Sequence, residues 1–256
     1  MRTLAPPPPA YDRAFYRRHV SGARSSAGVI VPLVVAWLNP RSVVDVGCGV
    51  GSWLAEFRRN GVEDVLGVDG PHVDRALLEI PADRFEARDL TKPVAIPRSF
   101  DLALCLEVAE HLPESSADAL VGSLVALAPV ILFSAAVPGQ GGTGHVNEAW
   151  PEAWARRFSA RGYDWADPIR PRVWTSRDVE PWYAQNALLY CRRGLFSPAP
   201  WGAAGTESGP RPEWPLPLVH PAYQERIARR TAPTVRNAWR DLRRALLAAM
   251  SRPFRR

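Results

Sequence analysis

Cysteine is scarce in this 256-residue chain, with only Cys48, Cys105 and Cys191 present. They form no C-x-x-C pair and give no zinc site. Each lies in or beside an apolar, strand-like run, the setting of reduced buried thiols in a cytosol. An apolar segment of the kind a signal peptide needs is missing too, because Pro6 to Pro9 occupy that place. The longest apolar stretches, Val29–Leu38 and Leu124–Val137, are interrupted by Pro32 and Pro129. Both fall short of the roughly 18 residues that a membrane span requires. These absences lead us to expect a soluble, unsecreted, cytoplasmic protein. Internal repeats are also lacking. A basic body is the last absence: the net charge is +6, yet residues 222–256 carry ten arginines against Glu225 and Asp241, a tail of +8 that leaves residues 1–221 at −2. A body of that charge argues against DNA, RNA or any long polyanion lying across an active site.

What is present fits one α/β domain with an appendage, since 46% hydrophobic residues can fill a core of this size. Proline numbers 26, with four in Pro6–Pro9 and seven from Pro198 to Pro221. This spacing suggests a disordered Pro-rich N-terminus at 1–10, a main domain at 11–196, a Pro/Gly-rich linker at 197–221 and a C-terminal segment at 222–256. Within the domain, Ser42–Val46, Asp64–Val68, Phe100–Leu106, Val130–Ala135 and Ala187–Cys191 read as buried strands. Ser52–Arg59, Ala117–Leu127 and Pro151–Arg161 read as helices between them. Such alternation predicts a doubly wound, mostly parallel sheet.

The sharpest motif is Val43-Val44-Asp45-Val46-Gly47-Cys48-Gly49-Val50-Gly51-Ser52, a strand entering a glycine turn and then a helix. Glycines there let the backbone turn tightly and let a ligand approach it. The spacing is G-x-G-x-G, unlike the G-x-G-x-x-G of dinucleotide binders. Asp45 before the turn would repel a pyrophosphate, but it can engage the ammonium of an amino-acid ligand. Asp69 ends the next strand, where a carboxylate can accept from both ribose hydroxyls. Asp89-Leu90 follows Phe85-Glu86-Ala87-Arg88 and is placed to meet an adenine.

Taken with Phe100-Asp101-Leu102-Ala103-Leu104-Cys105-Leu106-Glu107, this ordered series resembles the class I S-adenosylmethionine-dependent methyltransferases over residues 11–193. The resemblance implies a seven-stranded Rossmann-like sheet with an N-terminal helical cover and a C-terminal helix. It also implies that Asp45, Gly47, Gly49, Asp69, Asp89, Leu90 and Leu106 line an S-adenosylmethionine site. Tyr11–Val31, with Tyr16 and Arg24-Ser25-Ser26-Ala27, is the natural cover, or else a helix that only packs on the sheet edge.

Beyond the strand ending at Leu106, Glu107, Glu110 and His111 stand at i, i+3 and i+4, so a helical turn would aim them at one locus. Two carboxylates and an imidazole suit magnesium or manganese. The E-x-x-E-H string is similar to that of metal-binding small-RNA 2′-O-methyltransferases and ubiquinone-pathway O-methyltransferases; the alternative is that these residues only cap the turn. The loop Phe133–Trp150 is rich in glycine and concentrates polar groups. His145 is its candidate general base, because imidazole can take a hydroxyl proton at neutral pH, or else a further metal ligand. Asn147 and Glu148 would orient the imidazole or the acceptor, unless the loop's polar residues only tie it down. The string G-x-G-G-T-G-H-V-N-E-x-W is similar to a bacterial subgroup associated with sugar and glycan modification.

Five of the ten tryptophans fall between Trp150 and Trp182. Aromatic faces stack on sugar rings, although core packing is their commoner use. From Thr234, Val235, Trp239, Leu242, Leu246 and Met250 form an apolar stripe beside arginines, a helix suited to docking, homodimer formation or an anionic membrane. The expected activity is O-methyl transfer to a hydroxyl of a sugar, oligosaccharide or glycosylated small molecule. RNA 2′-O-methylation is one alternative, and a non-catalytic S-adenosylmethionine-binding partner protein is another.

Overall fold

The computed structural model describes residues 13–197, 199–201 and 213–225. Seven strands form one sheet: β1 (Ser42–Val46), β2 (Asp64–Asp69), β3 (Phe85–Ala87), β4 (Leu102–Leu106), β5 (Val130–Ser134), β6 (Tyr163–Ala166) and β7 (Leu188–Arg192). Their order is β3-β2-β1-β4-β5-β7-β6. Strands β1 to β5 pair in parallel, and β7 runs antiparallel to both β5 and β6. The expected doubly wound, mostly parallel seven-stranded sheet is therefore present, and helix α2 (Ser52–Arg59) and helix α3 (Ala117–Leu127) stand at their expected bounds. β3 and β6 escaped notice in the sequence because three and four residues carry too little periodicity.

Parallel strands with both faces covered need apolar residues at every position, and these have them. Val43, Val65, Leu104 and Leu132 face a core with Trp53, Leu54 and Phe57 of α2. Val44, Leu66, Ala103 and Ile131 face the opposite core, with Leu120 and Leu124 of α3 and with Trp154 and Phe158 of helix α4 (Pro151–Ser159). The one-residue alternation along each strand sends neighbouring side chains to opposite faces.

The N-terminal cover is helix α1 (Arg13–Leu38), which runs through Pro32. Gly28, the residue whose carbonyl Pro32 cannot bond, is exposed, so solvent can satisfy that group. The count of short apolar runs is thereby corrected. Val20–Leu38 forms one helix that is long and apolar enough to cross a membrane by length and composition. Ala27, Ile30, Val31 and Val34 of this helix are fully buried in the α2 core. The Tyr16 side chain lies outside the described residues.

Part of the segment expected as a free linker packs on the domain. Trp37 and Trp201 meet edge-on with centroids 6.5 Å apart, and the Trp165 indole donates to the Glu213 carbonyl at 3.1 Å. Arg170, on the short helix α5 (Arg170–Val173), is 1% exposed. It donates to the Leu216 carbonyl at 3.1 Å, to the Gln185 carbonyl at 3.3 Å and to Asp167 at 2.7 Å. One compact unit accordingly extends to Leu218, and the described residues 219–225 belong to a second. The residues expected as a disordered N-terminus, and the basic amphipathic helix from Thr234, fall outside the described residues.

Replacing Arg170 by Leu leaves Asp167 and two carbonyls without their donor. We expect a cost of about 3 kcal/mol, the low end for breaking a buried pair, because Asp167 retains some solvent. Thermal melts should show Tm lower by roughly 6–12 °C, with faster proteolysis around residues 213–218.

Candidate functional site

The glycine turn after β1 can be occupied by no other residue type at its first position. Gly47 has φ 89°, and a Cβ there would stand 2.2 Å from Val108 Cγ2. Gly49 and Gly51 also have positive φ, at 55° and 87°. The turn is laced to β2: the Gly47 N–H donates to the Val68 carbonyl at 2.7 Å, and the Gly49 N–H donates to Asp69 Oδ2 at 2.7 Å. Asp69 Oδ1 accepts from the Gly70 N–H at 2.6 Å. Burial pushes the Asp69 carboxyl up, against these hydrogen bonds and the nearby His72. Asp45, directly before the turn, is 2% exposed. Burial, and secondly the Asp69 charge, push it up to about 8.

Farther along the edge, Asp89 lies on an exposed turn, where its carboxylate accepts from the Thr91 N–H at 3.0 Å and the Thr91 hydroxyl at 2.6 Å. These bonds hold its carboxyl below the usual range. Leu90 and Leu106 are buried, Leu90 in the α3 core and Leu106 in the α2 core. Arg24 of α1 reaches over to Glu79 at 2.7 Å, and Glu79 also accepts from the Ser52 hydroxyl at the start of α2. The cover helix thus touches the flank of the glycine turn as well as the sheet.

At the end of β4 the structure corrects the expected cation set. A continuous helical turn from Glu107 to His111 would align Glu107, Glu110 and His111, but only Ala109–His111 form a turn, a 3-10 one, and Glu107 sits at φ 55° in the left-handed region. Its carboxylate stays beside Glu110 but is held by other partners, accepting from Asn186 Nδ2 and Gln140 Nε2 at 3.0 Å each. The atoms that do converge belong to Glu110, His111 and His145, whose potential ligand atoms all lie within 4.8 Å of one another. Glu110 is fully buried, and its carboxylate, with Glu107 and the Glu110 and Ala136 backbone beside it, has no well-formed hydrogen bond. Burial, and next the Glu107 charge, push the Glu110 carboxyl well up. A buried carboxylate beside two imidazoles fits a borderline divalent cation such as manganese better than magnesium.

The loop after β5 folds back over this point. Val146 and Asn147 N–H groups both donate to the Glu110 carbonyl, at 2.8 and 3.1 Å. His145 Nδ1 lies 2.9 Å from Glu148 Oε1. Glu148 is itself fixed by the Gly139 N–H at 2.8 Å and the Gly141 N–H at 2.7 Å. Burial raises its carboxyl, but the bonds from His145 and these two amides outweigh that and leave it lowered. An ionised Glu148 on Nδ1 selects the tautomer with a free lone pair on Nε2. Glu148 thus lies against the His145 imidazole, whereas the Asn147 side chain points to the Ala109 carbonyl at 3.4 Å. A Cβ at Gly142 would stand 2.1 Å from His145 Nε2, so the imidazole occupies space that only glycine leaves open.

Three polar residues outside the expected site residues also meet here. Gln140, Gln185 and Asn186 are all buried and form one hydrogen-bonded group with Glu107. Two amides directly before an apolar strand were the available signal. Of the crowded tryptophans, Trp154 is 2% exposed and packs on Phe133, whereas Trp150, at 41%, remains open at the end of the His145 loop.

Residues 30–167 match the model of a family described as a methyltransferase domain. Among curated proteins, a ubiquinone biosynthesis O-methyltransferase of Pseudomonas fluorescens (strain SBW25) is 32% identical over 100 residues, covering 34% of this chain and 43% of that protein. Its counterpart in Neisseria meningitidis is 32% identical over 90 residues, covering 31% and 37%. The chain thus spans less than half the length of these relatives. Among solved structures, a sugar N-methyltransferase from Streptoalloteichus has a TM-score of 0.52 at 16% identity, covering 75% of this chain and 97% of that one. Magnesium protoporphyrin IX methyltransferase from Synechocystis with bound SAH has a TM-score of 0.52 at 22% identity, covering 71% and 88%. These likenesses show the fold.

Asp45 supplies a pH test. Its folded-state carboxyl at about 8 lies above its unfolded value of 3.8, so its contribution to stability is present at low pH and is lost as pH rises through 8. The Tm of Asp45→Asn, measured relative to the parent chain, should climb as pH is raised from about 6.5 to about 9. A difference that stays flat over that range would contradict the burial of an acid form at Asp45.

Proposed function

We propose, since the chain belongs to the methyltransferase-domain family of S-adenosylmethionine-dependent enzymes, that it methylates a hydroxyl of a small-molecule acceptor with His145 as the base. The observation that carries this reading is the His145–Glu148 pair, 2.9 Å apart, with Glu148 locked by two backbone amides. S-adenosylmethionine, when bound, supplies a methyl group on a sulfonium, already a strong electrophile. The protein's task is then to align the acceptor and to remove its proton. Gly47 and Gly49 would let the cofactor approach the backbone. Asp69 would take its ribose and Asp45 would border its amino-acid end, with Asp89, Leu90 and Leu106 toward the adenine and the sulfur. His145 Nε2 accepts the hydroxyl proton, while Glu148 holds the Nδ1 proton and stabilises the imidazolium.

The acceptor we favour is a sugar or a glycosylated small molecule. Trp150 offers an exposed indole at the end of the His145 loop, and residues 1–221 carry a net charge of −2, which does not attract a polyanion such as RNA. The buried Glu110 carboxylate favours an alternative role for the same cluster, in which Glu110, His111 and His145 would hold magnesium or manganese and His145 would be a ligand instead of the base. Such an ion would supply Lewis acidity that lowers the pKa of the acceptor hydroxyl.

Screening glycan and small-molecule alcohols with labelled cofactor, with and without magnesium or manganese, tests both roles. His145→Ala should lower turnover of the acceptor so found by about 10²–10⁴-fold, with cofactor binding retained, and Glu148→Gln should lower it by about tenfold. Unchanged turnover in His145→Ala removes the base. EDTA should depress activity and manganese should restore it; activity that survives EDTA undiminished removes the ion.

A further inference from the structure

Glu107 left the cation cluster, and its surroundings give it another task. Along the carboxyl edge of the sheet the order is β3, β2, β1, β4. With Asp89 after β3, Asp69 ending β2 and the glycine turn after β1, a ligand laid along this edge next reaches the end of β4. Glu107 stands there. Its backbone N–H donates to the Ser134 carbonyl at 3.0 Å and to the Ser134 hydroxyl at 3.1 Å, which fixes its left-handed conformation.

The side chain is held equally firmly. Asn186 Nδ2 donates to Oε1 and Gln140 Nε2 donates to Oε2, each at 3.0 Å. These two amides are themselves oriented by Gln185 Nε2, which donates to Gln140 Oε1 and to Asn186 Oδ1, again at 3.0 Å each. Gln185 is fully buried and Asn186 is 3% exposed, whereas Glu107 keeps part of its surface open. A sealed clamp thus holds the carboxylate of a residue that is itself only partly buried. The Tyr183 hydroxyl, raised first by burial, is raised further by the charges of both Glu107 and Asp45. The glycine turn borders this point, since Gly47 lies against Val108, the residue after Glu107, and Trp53 of α2 meets Tyr183 edge-on at 5.0 Å.

We infer that Glu107 is a cofactor-binding residue whose carboxylate pairs with the cationic amino-acid end of S-adenosylmethionine, and that Gln140 and Asn186 are positioning residues for it. This assignment rests on the S-adenosylmethionine dependence proposed above. Asp45 is the less suitable charge partner, because it is 2% exposed, whereas Glu107 is only partly buried. Glu107 carries a donor on each oxygen, so little ordering remains to be done when a cation arrives.

Calorimetry with three probes tests it on the full chain. S-adenosylmethionine carries a sulfonium and an ammonium, S-adenosylhomocysteine only the ammonium, and 5′-methylthioadenosine neither. Glu107→Gln should bind S-adenosylmethionine and S-adenosylhomocysteine about 10- to 100-fold more weakly, as expected for loss of a charge-assisted hydrogen bond, and 5′-methylthioadenosine within about twofold of the parent. Asn186→Leu should show a smaller loss with the same selectivity, and it decides the matter if Glu107→Gln fails to fold. Equal weakening of all three probes, or unchanged S-adenosylmethionine binding, overturns the role of Glu107. A parent chain that binds none of the three overturns the cofactor reading instead.

Discussion

The constraint on which the rest of the structure depends is the gathering of carboxylates at one edge of an apolar sheet. Asp45, Asp69, Glu107 and Glu110 stand at the carboxyl ends of β1, β2 and β4, and burial pushes every one of them upward. A buried ionised group costs far more than a buried amide unless it is paired, so such an edge is tolerated only where a ligand repays the cost on binding. Anything that settles there should carry positive charge. A pyrophosphate would face Asp45 and Asp69 side by side, whereas a cation would neutralise them. The preference against dinucleotides is thereby built into the strand ends and not only into the glycine spacing.

Each carboxylate meets this constraint differently, and the differences separate their roles. Asp69 is compensated by backbone amides of the turn, so it serves as a structural tie until a ligand replaces or shares those bonds. Glu107 is compensated by side-chain amides. Glu148, at the surface of the next loop, is compensated fully enough to be lowered. Glu110 alone among these is sealed from water with no well-formed hydrogen bond to its oxygens. Left as an anion it would be among the most costly groups in the molecule. It must therefore be either protonated or bound to a cation, and its neighbours His111 and His145 are chemically suited to share a cation with it.

The fold was legible in the sequence because parallel strands buried on both faces read as unbroken apolar runs. Ser42–Val46, Ser52–Arg59 and Ala117–Leu127 could be bounded to the residue on that signal. β3 and β6 were too short to show it. The glycine turn was legible because Gly47 is a steric necessity against Val108. The E-x-x-E-H string was less informative than its spacing suggested, since spacing predicts a common face only where the backbone is helical, and Glu107 leaves the helical region. His145 and Glu148, three apart, were legible as a pair. The clamp around Glu107 was not, because it joins residues up to 79 positions apart, and such contacts depend on register between β5 and β7, which no local pattern reports.

That register also explains why one loop can serve both halves of the site. β5 pairs with β7 through Phe133 and Leu188, which sets Ser134 and the loop beyond it against Asn186 and Gln185 at the end of helix α6 (Pro181–Asn186). Gln140 then bonds to Glu107 on one side, while Gly139 and Gly141, its immediate neighbours, donate to Glu148 on the other. Three consecutive residues thus connect the carboxylate assigned to the cofactor with the carboxylate that orients the base. Because the three are covalently joined, a shift of the loop that loosened the grip on Glu107 would also move Glu148 and with it the His145 imidazole. Rigid coupling of this kind is what alignment of a donor methyl with an acceptor oxygen demands, since misplacement by about 1 Å can cost a hundredfold in rate.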